Sequence, residues 1–152
     1  MIKGENTMKI SLGCDHGGYE LKEIIKKHLE NKGIEVLDTG TYGLDSVDYP
    51  DYGEKAALLV ANKEADKGIV ICTTGIGISI AANKVNGIRC ALCTDSFMAK
   101  MTRLHNDANM LALGAGIVGK NLALDIVDTW LDTEFEGGRH IKRVEKIMNI
   151  GK

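Results

Sequence analysis

Apolar residues along the chain alternate between short continuous runs and longer stretches with helical spacing. The short runs predict five strands, at residues 9–14, 34–38, 68–72, 88–93 and 109–113. The longer stretches predict helices at residues 19–31, 53–63, 96–104, 121–131 and 139–148, with a further short helix that ends at Lys84. Residues 47–52 lie between a strand and a helix and are predicted to form a long loop.

Strands and helices that alternate in this way predict an α/β fold, an open five-stranded parallel sheet with helices on both faces. In such sheets ligands bind outside the carboxyl ends of the strands. The residues that could take part in catalysis or binding lie at the ends of strands. Asp15 and His16 come after the first strand, and Cys72 ends the third. His105 and Asn106 come between the fourth helix and the fifth strand, and we expect them at the same ligand-facing edge.

The chain has 152 residues, enough for one domain with a proper core, which we assign to residues 8–152. The polar residues 1–7 precede the first apolar stretch and are predicted to be an extension outside the fold. The net charge of -2 gives no basic excess for nucleic acid or a membrane surface. No apolar run approaches the roughly 20 residues of a membrane span, and the start lacks a signal-peptide core. A cytoplasmic location is therefore expected.

Four cysteines are present, and in a cytosolic protein of this size they are expected to be reduced thiols. Cys90 and Cys93 have the spacing of a redox or zinc pair, but they lie in a predicted strand. Residues three apart in a strand point to opposite faces. Both are therefore interpreted as small core residues, and a thiol redox function stays a minor alternative.

A glycine-rich segment, residues 73–79, joins the third strand to the short helix. Its backbone N–H groups and the helix dipole can hold an anion, although it matches neither a Walker loop nor a dinucleotide fingerprint. Cys72 directly precedes this segment, and a thiol near a helix N-terminus can act as a base or nucleophile. From the residues alone, a plain tight turn and a buried cysteine remain open alternatives.

Further candidates lie apart in sequence from that loop. Asp15 and His16 can share proton transfer or bind a phosphate. Arg139 and Arg143 lie four apart at the start of the last helix, so their guanidinium groups share one face and suit a phosphate. The alternative is a solvated basic face. His28 lies beside the apolar stripe of its helix and is interpreted as structural.

Taken together, these motifs resemble type B ribose-5-phosphate isomerase, from about Met8 to the end of the chain. The resemblance is carried by residues 13–18 (GCDHGG), 48–50 (DYP), 71–84 (ICTTGIGISIAANK), 105–109 (HNDAN) and 136–143 (EGGRHIKR). It implies a Rossmann-like subunit, no metal and no cofactor, and a homodimer or tetramer with active sites shared between subunits. The implied activity is the interconversion of ribose 5-phosphate and ribulose 5-phosphate in the pentose phosphate pathway.

The resemblance also implies a division of labour among the site residues. Asp15 and His105 would assist opening of the furanose ring, with His105 and Asn106 supplied by the partner chain. Cys72 would take the proton from C2 and return it at C1, with Thr74 moving protons between the oxygens. The enediolate oxygen would be held by backbone groups, and the phosphate by three cationic side chains. The first set comprises Gly75, Ile76, Gly77, Ile78 and Ser79, and the second comprises His16, Arg139 and Arg143.

Two positions depart from the family pattern. Thr73 stands where the family commonly has glycine, and Gly116 stands where an arginine usually contributes to the phosphate site. The substrate could therefore differ, and isomerisation of a six-carbon sugar phosphate such as allose 6-phosphate is the alternative within the enzyme class. Galactose-6-phosphate isomerase subunits fit less well, because His105 and Arg139 are retained. A non-catalytic module that binds a phosphosugar is the alternative from another class.

Overall fold

The computed structural model describes residues 7–152. Its strands are β1 (Lys9–Cys14), β2 (Glu35–Gly40), β3 (Lys67–Cys72), β4 (Cys90–Leu92) and β5 (Met110–Gly114). Its helices are α1 (Tyr19–Asn31), α2 (Tyr49–Ala61), α3 (Ile76–Asn83), α4 (Ser96–Asn106), α5 (Lys120–Asp132) and α6 (Arg139–Asn149). Of the predicted extension, residues 1–6 lie outside the described residues. No helix among the described residues is long and apolar enough to cross a membrane.

The strands form one parallel sheet in the order β2-β1-β3-β5-β4, which confirms the predicted fold class. The chain moves outward from β1 to β2 and then returns to place β3 on the other side of β1. This reversal makes the gap between β1 and β3 a topological switch point, where open α/β sheets bind ligands. Cys14 pairs with Ile71 there, so Asp15 and Cys72 emerge side by side.

Each face of the sheet is covered by its own apolar core. On one face, Ile25 of α1 and Trp130 of α5 are fully buried, and on the other, Ala56 of α2 and Ile78 of α3 are. Cys93 belongs to the first core, whereas Cys90 packs against the second. The interpretation of these two cysteines as separate core residues is confirmed.

The predicted loop at residues 47–52 is wrong, because α2 begins at Tyr49. Pro50 occupies the first turn of the helix, where a missing N–H costs nothing since first-turn N–H groups have no partner within the helix. The fourth strand is also shorter than predicted and covers only Cys90–Leu92. At this edge strand the Asn83 side chain bonds both the N–H and the C=O of Cys90.

The fourth helix runs two residues further than predicted, to Asn106, so His105 and Asn106 lie in its last turn. Asp107 ends the helix in the left-handed conformation, and β5 begins at Met110. A helix that returns the chain to the start of a parallel strand ends at the amino edge of the sheet. The expectation that His105 lies at the ligand-facing edge is therefore wrong.

Candidate active site

A cavity of about 490 Å³ opens at the carboxyl ends of β1 and β3. It lies at the switch point of the sheet and brings together residues from three separate segments of the chain. Its lining consists of Asp15, Tyr49, Cys72, Thr73, Thr74, Ile76, Gly77 and Ile80. Five predicted catalytic or binding positions after the first and third strands thus meet in one place, namely Asp15, Cys72, Thr74, Ile76 and Gly77.

Cys72 ends β3, is 5% exposed and lines the cavity. The N–H of Gly75 donates to Sγ at 3.1 Å, a contact that stabilises negative charge on sulfur. Gly75 makes this contact with φ of 78°, and a Cβ there would lie 2.8 Å from the carbonyl carbon of Leu113. The loop that supports the thiol therefore requires glycine at position 75.

The other three sulfurs are held in apolar surroundings. Burial raises the pKa of Cys14 to about 12 and that of Cys93 to about 12, and it raises the pKa of Cys90 as well. These three groups are neutral thiols near pH 7. Cys72 is the cysteine that lines the cavity at the switch point.

The glycine-rich segment presents fewer free donors than the sequence predicts. The N–H of Gly75 is engaged by Cys72 Sγ, that of Ile76 by Thr74 Oγ1 at 3.2 Å, and that of Ser79 by the carbonyl of Gly75. Gly77 and Ile78, in the first turn of α3, have no N–H partner among the contacts of residues 7–152. The predicted set of five backbone donors is thus reduced to two.

Asp15 and His16 sit on the turn that follows β1. Asp15 is 7% exposed and lines the cavity, with Oδ1 accepting the N–H of Gly18 at 3.1 Å. His16 is half-buried, and its Nδ1 accepts the N–H of Val47 at 3.2 Å. That bond leaves Nε2 as the donor of the neutral ring. His16 is near the site in sequence but does not line this cavity.

Tyr49 also lines the cavity, although it was not among the predicted site residues. Its ring lies on the backbone of Gly77, where a Cβ would come within 2.6 Å of Tyr49 Cζ. The proline that follows Tyr49 indicates its position, because proline is frequent in the first turn of a helix and α2 begins here. Tyr49 therefore fixes the distance between α2 and the glycine-rich segment.

The remaining predicted residues form a second cluster at the opposite edge of the sheet. His105 stacks on His140, with ring centroids 4.3 Å apart, and the N–H of Glu136 donates to Leu104. Arg139 and Arg143 are exposed on α6 beside this cluster. β5 alone spans roughly 13 Å between the two edges, at about 3.3 Å per residue. Within one subunit, Cys72 and His105 are not brought together.

Within the second cluster, His105, Glu136 and His140 are residues of the types that bind metal ions. Nε2 of His105 and Nε2 of His140 lie 3.9 and 3.8 Å from Oε2 of Glu136. The two rings are stacked with 16° between their planes, so their Nε2 lone pairs lie in nearly parallel, separate planes and do not converge on one ion. Burial lowers the pKa of His140, with added repulsion from His105, Arg139 and Arg143.

The turn that carries His105 and Asn106 is fixed by a buried arginine that sequence reasoning missed. Arg103 is 6% exposed and donates to Asp107 Oδ1 at 2.8 Å, to the carbonyl of Ala108 and to that of Thr133. His28, interpreted as structural, bonds Asp128 at 2.7 Å and joins α1 to α5. The pattern of apolar and polar residues in an amphipathic helix does not show whether a given arginine is buried or exposed.

Comparison with known proteins gives consistent matches along almost the whole chain. The model of the family described as Ribose/Galactose Isomerase matches residues 10–147. The ribose-5-phosphate isomerase B of Escherichia coli K12 is 52% identical over 142 residues, covering 93% of this chain and 95% of that protein.

Solved structures show the same fold. The ribose-5-phosphate isomerase B of Clostridium thermocellum is 64% identical with a TM-score of 0.93, covering 94% of this chain and 97% of that one. The ribose-5-phosphate isomerase B of Mycoplasma genitalium, solved with bound ribulose 5-phosphate, is 41% identical with a TM-score of 0.88. That match covers 93% of this chain and 94% of the other.

Proposed function

The chain belongs to the Ribose/Galactose Isomerase family, and from this membership we propose that it interconverts ribose 5-phosphate and ribulose 5-phosphate with Cys72 as the carbon base. The observation that carries the proposal is the position of Cys72 Sγ. It lies in a cavity, accepts an N–H from Gly75, and is followed by the unengaged N–H groups of Gly77 and Ile78. The reaction belongs to the pentose phosphate pathway, and we propose that it takes place in the cytoplasm.

The first step is opening of the furanose ring, which needs a proton removed from the anomeric hydroxyl and one delivered to the ring oxygen. Asp15 is buried in the cavity beside Cys72 and supplies one proton-transfer group. His105 supplies the second. Because it lies at the amino edge of its own sheet, it must come from a partner subunit.

The second step moves a proton between adjacent carbons of the open aldose. The Cys72 thiolate removes the proton from C2, and the electron pair forms a C1–C2 double bond while the carbonyl oxygen becomes an enediolate. The unengaged N–H groups of Gly77 and Ile78 are proposed to stabilise that developing charge, and one preorganised donor can contribute roughly 3 kcal/mol. The thiol returns the proton to C1 while Thr74 passes a proton between the two oxygens, which gives the ketose.

The phosphate is assigned to one neutral imidazole and two guanidinium groups. His16 presents Nε2 as a donor because its Nδ1 accepts the N–H of Val47. Arg139 and Arg143 lie one helical turn apart and are both exposed, which suits a phosphate held by two guanidinium groups. Like His105, they are proposed to act on the partner subunit's substrate, together with Asn106.

The proposed assembly is a homodimer with shared sites, and the surface around the cavity fits that assembly. Ile76 and Ile80 are 52% and 59% exposed on one face of α3, at the mouth of a site that is otherwise polar. Apolar side chains in such a place are typical of an interface. A second copy of the chain would cover them and bring its own His105 to Cys72.

The direct test is the initial rate of isomerisation of ribose 5-phosphate for the wild type, Cys72→Ala and Cys90→Ala. Removing a carbon base is expected to lower kcat by at least roughly 10³-fold. Cys90→Ala, a thiol outside the cavity, should stay within a few-fold of the wild type. A faster rate on allose 6-phosphate would retain the mechanism and change the substrate. Unchanged turnover by Cys72→Ala would refute the cysteine mechanism.

The same three proteins distinguish an isomerase from a non-catalytic module that binds a phosphosugar. Such a module would bind ribose 5-phosphate, as measured by calorimetry, with no turnover in any of the three. An isomerase would keep binding in Cys72→Ala while losing turnover.

A further inference from the structure

The last turn of α4 carries His105 and Asn106, and an arginine from the segment before β4 holds this turn. Arg89 is half-buried, and its Nε donates to the carbonyl of Asn106 at 3.0 Å and to that of Asp107 at 3.1 Å. Its Nη2 also donates to the carbonyl of Asp107, at 2.8 Å. Because the last carbonyls of a helix have no donor within the helix, this guanidinium supplies donors that the helix itself lacks.

The side chain of Asp107 is held as well as its carbonyl. Arg103 Nη1 donates to Asp107 Oδ1 at 2.8 Å, and Arg89 Nη2 lies 3.6 Å from Oδ2 of the same carboxylate. Asp107 ends the helix with φ of 48°, in the left-handed region. Two guanidinium groups therefore fix both the main chain and the side chain of the residue that ends α4.

Arg89 is itself fixed in place by Asn109, which precedes β5. Asn109 Oδ1 accepts the N–H of Arg89 at 2.8 Å, and Asn109 Nδ2 donates to the carbonyl of Gly87 at 2.9 Å. The segment before β4 and the segment before β5 are thus bonded to each other. A guanidinium that projects from a fixed backbone has a defined direction, so it can define the position of the turn that it binds.

The turn carries two residues of the proposed shared site. Asn106 is exposed, and His105 is half-buried with its ring stacked on His140. A reacting group that is misplaced by about 1 Å can lower a rate by roughly 100-fold. The contacts of Arg89 therefore lie where a small displacement of the main chain would change the geometry of the reaction.

We propose that Arg89 is a positioning residue, whose guanidinium holds the last turn of α4 so that His105 and Asn106 reach the substrate of the partner subunit. The inference rests on the proposed shared site, and it assigns Arg89 no contact with the substrate. Arg89 acts through main-chain carbonyls of its own chain. Its effect should therefore appear in the chain that supplies His105 and not in the chain that supplies Cys72.

The role is tested with Arg89→Met, which keeps an aliphatic stem, and Arg89→Lys, which keeps one charged donor group. Arg89→Met should lower kcat/KM for ribose 5-phosphate roughly 10-fold or more, and Arg89→Lys should restore part of the loss. Asp95→Ala is the matched control, because Asp95 caps the other end of α4 by accepting the N–H of Met98 at 2.8 Å. The control should stay within about twofold of the wild type, at a urea concentration where all variants are folded. A kcat/KM for Arg89→Met equal to that of the control would overturn the proposal.

Mixed dimers separate positioning from a general loss of structure. In a dimer of Cys72→Ala with His105→Asn, the intact site takes His105 from the first chain and Cys72 from the second. Arg89→Met should lower the recovered activity roughly 10-fold or more when it is placed in the Cys72→Ala chain. When it is placed in the His105→Asn chain, the recovered activity should change by less than about twofold. Equal losses in the two placements would overturn the proposal.

A measurement without turnover distinguishes failure of this inference from failure of the proposed function. The ring C–H signals of His105 and the side-chain amide signals of Asn106 are followed by NMR and assigned with His105→Asn and Asn106→Ala. Arg89→Met should shift or broaden both sets of signals, whereas Asp95→Ala should leave them in place. Mixed dimers without Arg89→Met that recover no activity would refute the shared site. Unchanged signals in Arg89→Met would overturn the positioning role even if the protein is a fast isomerase.

Discussion

At the residue scale, surroundings decide which of four chemically identical thiols can act. Cys14 and Cys93 are buried in the apolar core on one face of the sheet, and burial raises the pKa of each to about 12. Cys72 instead accepts a backbone N–H and borders a cavity of about 490 Å³. The reactive form of cysteine is the thiolate, so access and stabilised charge should coincide at Cys72.

Alkylation should therefore distinguish Cys72 from the other cysteines. With iodoacetamide at pH 8 in the native protein, we expect one thiol to react quickly and the remaining three to react only on unfolding. Peptide mapping by mass spectrometry should place the label on Cys72. Ribose 5-phosphate should slow the labelling, since the sugar would occupy the same cavity. Fast labelling of Cys90 with Cys72 unmodified would contradict this assignment.

At the scale of elements, a buried ion pair fixes the chain that leads from β2 to the site. Lys22 of α1 is fully buried, and its Nζ donates at 2.7 Å both to Asp38 Oδ1 and to the carbonyl of Thr41. Thr41 begins the loop that reaches Val47, which donates to His16. α1 therefore anchors the loop that orients a proposed phosphate ligand.

Asp38→Asn should be strongly destabilising, because it leaves the buried Lys22 charge with only the half-exposed carboxylate of Glu23, 3.5 Å away. Removing one partner of a buried pair is expected to cost roughly 3 kcal/mol of unfolding free energy. Glu35→Gln, in the exposed Lys9–Glu35 pair, should cost less than about 1 kcal/mol. Urea unfolding at pH 7 measures both.

The difference in unfolding free energy between the wild type and Asp38→Asn should depend on pH with a defined sign. Burial opposes ionisation of Asp38, but hydrogen bonds from Lys22, the Gly40 N–H and Lys26 lower its pKa below the ordinary value of 3.8. A lowered folded-state pKa gives stability that is present above the unfolded pKa and lost as pH falls through the folded one. The gap between wild type and Asp38→Asn should therefore shrink in acid below about pH 4. A gap that stays constant to pH 2 would contradict the ion-pair account.

At the scale of the whole molecule, the sheet separates two halves of a proposed site. Cys72 and Asp15 lie at its carboxyl edge, whereas His105 lies at its amino edge with Arg139 and Arg143 beside it. Proton transfer needs heavy atoms within about 3 Å, far less than the length of a strand. A shared site requires that two chains pack with opposite edges together.

Mixing two inactive variants tests the shared site. Cys72→Ala and His105→Asn should each have little activity alone, because each removes a group from every site of its homodimer. After mixed refolding, half of the dimers are mixed and one of their two sites is intact, so about a quarter of wild-type activity should return. No recovery, with mixed dimers verified by mass, would show that both residues act within one chain.

Much of the fold and part of the site follow from local pattern. Apolar periodicity placed five strands and six helices, because a side chain's burial repeats with the geometry of its element. The approximate end of β3 and the loop after it follow from the same pattern, so Cys72 and Asp15 could be assigned to the carboxyl edge of the sheet from the chain order, whereas the switch point there depends on the strand order of the folded sheet. Boundaries were less certain: Pro50 resembled a loop residue but lies in the first turn of α2.

The spatial relations among distant residues were decided by the tertiary structure. Chain order placed His105 between a helix and a strand, but the direction in which α4 crosses the sheet put it at the far edge from Cys72. Donors of Gly75, Ile76 and Ser79 were taken by neighbours that only a folded loop brings within reach. Likewise Thr73, Gly17 and Gly116 are far apart in sequence and meet at one point. Periodicity is a property of each segment, whereas distance between segments depends on how all of them pack.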